Sequence, residues 1–243
     1  PLPWTLLAFL LGILACLGYW RHARNAANPI LDFSLFRVPT FSISLTAGTF
    51  FRVAVGAVPF LLPLMLQLGF GKTPLQSGMI TFASAAGAIA MKPAATPLLT
   101  RFGFRSVLIW NGVAATLMLA ASALFSPAWP AWLMALVLLV AGTFRSLEFT
   151  AYNVIAYGDI PRPRMSAATT LYTTVQQLSL TMGVVVGAAS LEISSFLTGH
   201  TTPSLSDYDI AFIVVSLVAL VASPLCARLP RDAGDALTGH RTG

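Results

Sequence analysis

The chain has 243 residues, 56% of them hydrophobic and only 9% charged, and its mean hydropathy is +0.79. Soluble domains carry about 25% charged residues, so no water-facing surface can be built from this composition, and the chain reads as an integral membrane protein. The net charge of +6 and pI of 9.9 would suit nucleic acid, but the placement of the basic residues, taken up below, rules that partner out.

Crossing about 30 Å of hydrocarbon takes about 20 helical residues. Seven stretches qualify: 4–20, 40–67, 76–99, 104–125, 130–157, 166–197 and 208–227. Punctuation separates them: Asn28-Pro29 and Val38-Pro39, the run Gly69 to Pro74, Arg101 to Arg105, Ser126-Pro127, Ile160 to Pro163, and Thr202-Pro203. Basic residues occupy alternate connections. Arg21, Arg24 and Arg37 follow the first span, Arg101 and Arg105 the third, Arg162 and Arg164 the fifth, and Arg228, Arg231 and Arg241 the last. The intervening loops hold Lys72 alone, no basic residue, and Asp207 with Asp209. By the positive-inside rule this alternation puts the C-terminus in the cytoplasm of a multi-pass cell (inner) membrane protein. It also accounts for the basic charge without nucleic acid. The tail 229–243 is expected to be disordered. The chain begins at Pro1 with no Met, and an odd span count is expected if earlier spans are missing from it.

Two spans carry charge near their centres, where insertion costs roughly 2.5–3.5 kcal/mol per residue. Arg52 interrupts 40–67, and Arg145 with Glu148 interrupts 130–157. Arg145, Glu148 and Tyr152 follow at spacings of three and four, which share a helix face; that face is expected to look into an interior cavity. Three readings stand. Glu148 is a titratable carboxyl whose pKa Arg52 and Arg145 set, unless the arginines bind an anionic group; or an Arg–Glu pair is simply satisfied and holds helices together; or the span ends lie elsewhere and the charges are not central.

Other polar groups within spans, including Asn111, Asn153, Gln176 and Gln177, suit inter-helix hydrogen bonds, and the last three also suit contact with a substrate. Phe50, Phe51 and Tyr172 could wall a site for lipophilic cations or face lipid. Pro59 and Pro63 can kink or hinge the second span. Gly183 and Gly187 form a close-packing pair. Cys16 and Cys226 lie in apolar runs and read as small hydrophobes, not a disulfide. His22, His200 and His240 lie in loops or tail, and no phosphate loop, nucleophile elbow or metal spacing is present. Neither an enzyme nor a cofactor is expected.

Four stretches carry a resemblance: Asp32 to Arg37; Arg52 to Gln67 with Ser77-Gly78; Arg101 to Arg105; and Ser166 to Gly183 through Gln176-Gln177. Over residues 30–190 they resemble the C-terminal half of a major facilitator superfamily transporter, of the fourteen-span drug:proton antiporter type. The loop departs from the family pattern at Thr100, where an acidic residue is usual. The resemblance implies an all-α polytopic membrane fold: a linker helix and cytoplasmic loop in 1–39, then a six-helix half in 40–228. That half is built as two three-helix repeats of inverted topology. It implies that 40–67 and 130–157 line the central cavity, and that the N-terminal half is absent from this chain. The expected function is proton-coupled efflux of lipophilic, drug-like small molecules by alternating access. The alternative is a transporter for a defined, possibly anionic, metabolite. A receptor of the retinal type is disfavoured because the last span has no lysine.

Overall fold

The computed structural model describes residues 10–12, 14, 17–19, 21, 31–200, 202–230 and 232–234. The expected linker span 4–20 falls mostly outside the described residues, and those described within it are helical. After a 3-10 turn (Phe33–Arg37) come α1 (Pro39–Leu64), α2 (Pro74–Phe102), α3 (Phe104–Ala120), α4 (Ala131–Ile155), α5 (Met165–Thr198), α6 (Leu205–Leu220) and α7 (Ala222–Cys226). No strand occurs among the described residues.

Local chemistry sets the boundaries. Pro39 and Pro74 stand in the first turns of α1 and α2, where a missing N–H costs nothing. Thr73 and Gln76 close a capping box over the start of α2. Gly103, at φ +74°, lets α2 turn into α3 with a single residue between them. α1 stays helical through Pro59 and Pro63, then relaxes into a π turn over Met65–Gly69. Among the described residues, five helical segments are long and apolar enough to cross a membrane: 39–69, 104–124, 131–155, 162–198 and 205–226. The expected span 76–99 forms within the 29-residue α2. Its small residues, two internal prolines and Lys92 leave it less apolar than those five.

The pairing of the helices is crossed. α1 lies along α5, and α2 along α4, while α3 packs on α4 and α6 on α1. Glycines set both close pairs. A Cβ on Gly56 would lie 2.2 Å from the Leu180 carbonyl oxygen, and one on Gly183 would lie 2.2 Å from that of Val53. In the other pair, a Cβ on Gly87 would meet Leu139 O at 1.9 Å and one on Gly142 would meet Ser84 O at 2.0 Å. In each pair, every glycine faces the carbonyl three residues before the opposing glycine. Exchanging α1–α3 for α4–α6 maps one pair onto the other, so the same device is built twice. The buried core fills both ends of this arrangement: Phe51, Phe104, Leu108 and Cys226 belong to one cluster, and Leu61, Met134, Phe212 and Val215 to another.

The segment entering α1 is tied to the loop after α4. Thr40 Oγ1 donates to Asp159 Oδ2 at 2.8 Å, and Arg164 pairs with Asp32 at 2.6 Å and with Ser34. Of the described tail residues, Leu229 and Ala233 are buried, and Gly234 sits against Phe104 and Ile155. The rest of the tail lies outside the described residues.

Candidate functional site

Arg52 is fully buried at the middle of α1. Its guanidinium carbon lies 4.7, 5.8 and 6.0 Å from the ring centres of Tyr172, Tyr152 and Phe149, all within cation–π range. Nη2 donates to the Tyr172 hydroxyl, whereas Nε and Nη1 have no hydrogen-bond partner. Gly48, one turn earlier, makes the room, since a Cβ there would stand 2.7 Å from Nη1. Rings from α4 and α5 thus surround a cation from α1, and no carboxylate pairs with it among the described residues.

Glu148 is also fully buried, in a different place. Asn111 of α3 donates Nδ2 to Glu148 Oε2 at 2.7 Å and to the Phe144 carbonyl at 2.9 Å. Glu148 Oε1 has no partner, and neither has Ser223 Oγ of α7. Both oxygens stand 3.1 Å from where a Cβ on Gly112 would lie, so they border one gap. One turn on, Tyr152 Oη and Cys226 Sγ approach at 3.2 Å, and the Tyr152 carbonyl accepts from Ser44.

Arg145 is half-buried and lines a small cavity with Phe51, Val55, Thr116, Ser122 and Leu138. It makes no hydrogen bond or ion pair to another described residue. Arg145 and Glu148 therefore diverge despite their spacing. Residues three apart stand about 60° apart around a helix. That is enough for Glu148 to turn to Asn111 on α3 while Arg145 turns to the space between α1 and α3. The Arg–Glu pair envisaged from sequence is not formed.

Of the remaining expected residues, Tyr152 joins the Arg52 cage. Asn153 lies one position further on α4, with Oδ1 buried and unpartnered. Gln176 is half-buried and Gln177 exposed on α5. Phe149, Gly112 and Ser223 were missed by sequence reasoning. The aromatic spacing Phe149-Tyr152 beside an intramembrane arginine was the available signal for the first; nothing local marked the others.

A second polar cluster closes the opposite end of α6. Asp207 is fully buried and accepts from Ser194 Oγ at 2.6 Å and from Ser204 N and Oγ, each at 2.8 Å; His200 Nδ1 lies 2.8 Å from it. Its role there is to cap α6 and tie it to α5. No group of three or more His, Cys, Asp or Glu among the described residues is arranged to hold a metal.

Residues 3–184 match the family profile described as Major Facilitator Superfamily. A "Putative multidrug resistance protein MdtD" from Pectobacterium atrosepticum is 31% identical over 226 residues, covering 91% of this chain and 48% of that protein. Its namesake in Serratia proteamaculans is 33% identical over 230 residues, with 91% and 47% covered, and that in Salmonella paratyphi A is 32% identical over 243 residues, with 95% and 50% covered. The chain spans about half the length of the curated relatives it matches. With most of its length matched and its helices crossed as two three-helix repeats, this multi-pass membrane protein belongs to the Major Facilitator Superfamily.

Proposed function

We propose that this chain acts as the C-terminal six-helix half of a proton-coupled exporter of lipophilic, drug-like compounds. It works with a second six-helix unit by alternating access, and its C-terminus is cytoplasmic in the inner membrane. The observation that carries the reading is Glu148: a fully buried carboxyl with neutral neighbours, one oxygen bonded to Asn111 and the other free beside Ser223. An ionised carboxylate with no cation beside it is costly in a low-dielectric interior. A proton can reside on Oε1 without disturbing the Asn111 bond, and its loss creates a charge that a change of conformation must relieve. The relatives named for multidrug resistance favour drug-like substrates over other cargo.

The test uses the full-length protein containing this chain, reconstituted in liposomes and loaded with ethidium. Efflux driven by an imposed pH gradient and abolished when the gradient is collapsed supports the reading; efflux indifferent to the gradient removes it. A second reading, transport of an anionic metabolite, draws on Arg145, which lines its cavity with no counter-charge. Under that reading Arg145→Gln suppresses uptake of the anion and leaves ethidium efflux unchanged.

A further inference from the structure

Beyond α7 the chain folds back over the bundle. Leu229 N donates to the Cys226 carbonyl at 3.0 Å and Ala233 N to that of Pro230 at 3.2 Å, and these turns carry it across the start of α3 and the end of α4. Arg105 Nη2, in the first turn of α3, donates to the Ala227 carbonyl at 2.9 Å. Leu229 and Ala233 belong to the same buried apolar cluster as Phe104, Leu147, Tyr152 and Ile155. Gly234, at φ +83°, makes the closest approach: a Cβ there would stand 2.3 Å from the Phe104 ring and 2.8 Å from Ile155 Cδ1. Below this contact lies the Glu148 site. Glu148 precedes Ile155 by seven residues, about 10 Å along α4 at ~1.5 Å per residue. Tyr152 and Cys226, 3.2 Å apart, occupy the turn between.

We propose that the described residues of 226–234 form a strap that seals this end of the α3–α4 interface, so that water reaches Tyr152 and then Glu148 from that end only when the strap lifts. The seal has two layers. Gly234 covers Phe104 and Ile155, and beneath it Cys226 backs the Tyr152 hydroxyl. The outer layer ends in Ala233 and Gly234, whose small size buries little apolar surface, so it can part without unpacking the helices. Arg105 fixes where the strap lands, because the carbonyl it holds stands where the chain leaves α7. The consequence for proton access rests on the role proposed for Glu148; the seal itself does not.

The experiment uses the full-length protein in lipid nanodiscs, with no ion gradient and no substrate. Cys226 is the probe, because it is fully buried and a water-borne quaternary methanethiosulfonate should reach it only past the strap. Its modification is followed by mass spectrometry of the peptide that contains it. Gly234→Leu, which cannot seat against Phe104, is expected to speed modification about tenfold, within the range set by overpacking. Arg105→Met is expected to speed it about fivefold, the value of one hydrogen bond. Gly199→Leu is the matched control: Gly199 also has a positive φ, +73°, but open space around its Cβ position. It is expected to leave Cys226 unchanged. Unchanged Cys226 reactivity in folded Gly234→Leu overturns the proposal, as does equal acceleration in Gly199→Leu. Should Gly234→Leu fail to fold, unchanged reactivity in Arg105→Met overturns it instead. In liposomes, a proton leak caused by Gly234→Leu and abolished by adding Glu148→Gln ties the seal to the carboxyl. Faster Cys226 modification without that leak keeps the seal and removes the role proposed for Glu148.

Discussion

Arg52 and Glu148 are both fully buried in apolar helices, yet the protein accommodates them by opposite means. The cation is wrapped in ring faces from Phe149, Tyr152 and Tyr172, with one hydroxyl at its tip. The anion-forming group sits among an amide, a hydroxyl and a glycine, with one oxygen left open. Aromatic quadrupoles attract a cation. A sparse polar pocket suits the proton exchange proposed for Glu148. The comparison teaches that two intramembrane charges need not be partners, even when helix spacing brings a third charge close to one of them.

Under the proposed function, replacing the Glu148 carboxyl should break the contrast most severely. Glu148→Gln keeps an acceptor for Asn111 and supplies a donor toward Ser223, so folded yield should be unchanged. Gradient-driven efflux by the full-length protein should fall about a thousandfold, within the range for a positioned proton-transfer group. Wild-type efflux from this variant would make Glu148 a structural residue like any other.

The next largest effect separates the pockets mechanically. Gly183→Ala places a Cβ 2.2 Å from the Val53 carbonyl oxygen and forces α1 from α5. Thermal denaturation should show a loss of about 3 kcal/mol, the upper range for overpacking. The Arg52–Tyr172 contact is disrupted while the Asn111–Glu148 bond, on α3 and α4, is spared. Within the cage itself, Arg52→Leu should cost about 2 kcal/mol, and Tyr172→Phe about 1 kcal/mol, because the first removes the cation and the second a single hydrogen bond. Equal losses in the two variants would mean the rings contribute nothing beyond packing.

The smallest effect concerns an ion pair outside the bundle. Burial raises the affinity of Asp32 for a proton, but hydrogen bonds from Ser34 and Arg164 outweigh it and hold the carboxyl below its ordinary range. A carboxyl lowered on folding stabilises above its unfolded pKa, and that contribution disappears as pH falls through the folded value. Stability should therefore decline in acid by less than about 1 kcal/mol, as for other partly exposed pairs. Asp32→Asn should erase that part of the decline, which acid titration of the two proteins would reveal.

Much of this was legible beforehand, for identifiable reasons. Long apolar runs and alternating basic loops marked the six helices of the half, because hydrocarbon thickness and charge cost act on composition alone. Gly183 was readable as a packing residue from its spacing, but its partner Gly56 and the matching pair Gly87 and Gly142 were not, since only the crossing of two helices brings a glycine against a distant carbonyl. Asn111 was visible as a polar group in a span. That it holds Glu148 depended on α3 packing against α4.

What the sequence by itself determined was a membrane protein with charges at Arg52, Arg145 and Glu148 in two of its spans. The energetic cost of those charges follows from residue type and depth. Tertiary structure alone decided how each charge is accommodated. Arg52 turned to rings on α4 and α5, Glu148 to the amide on α3, and Arg145 to a cavity, because a side chain's partner is set by which helices pack against its own and at what rotation.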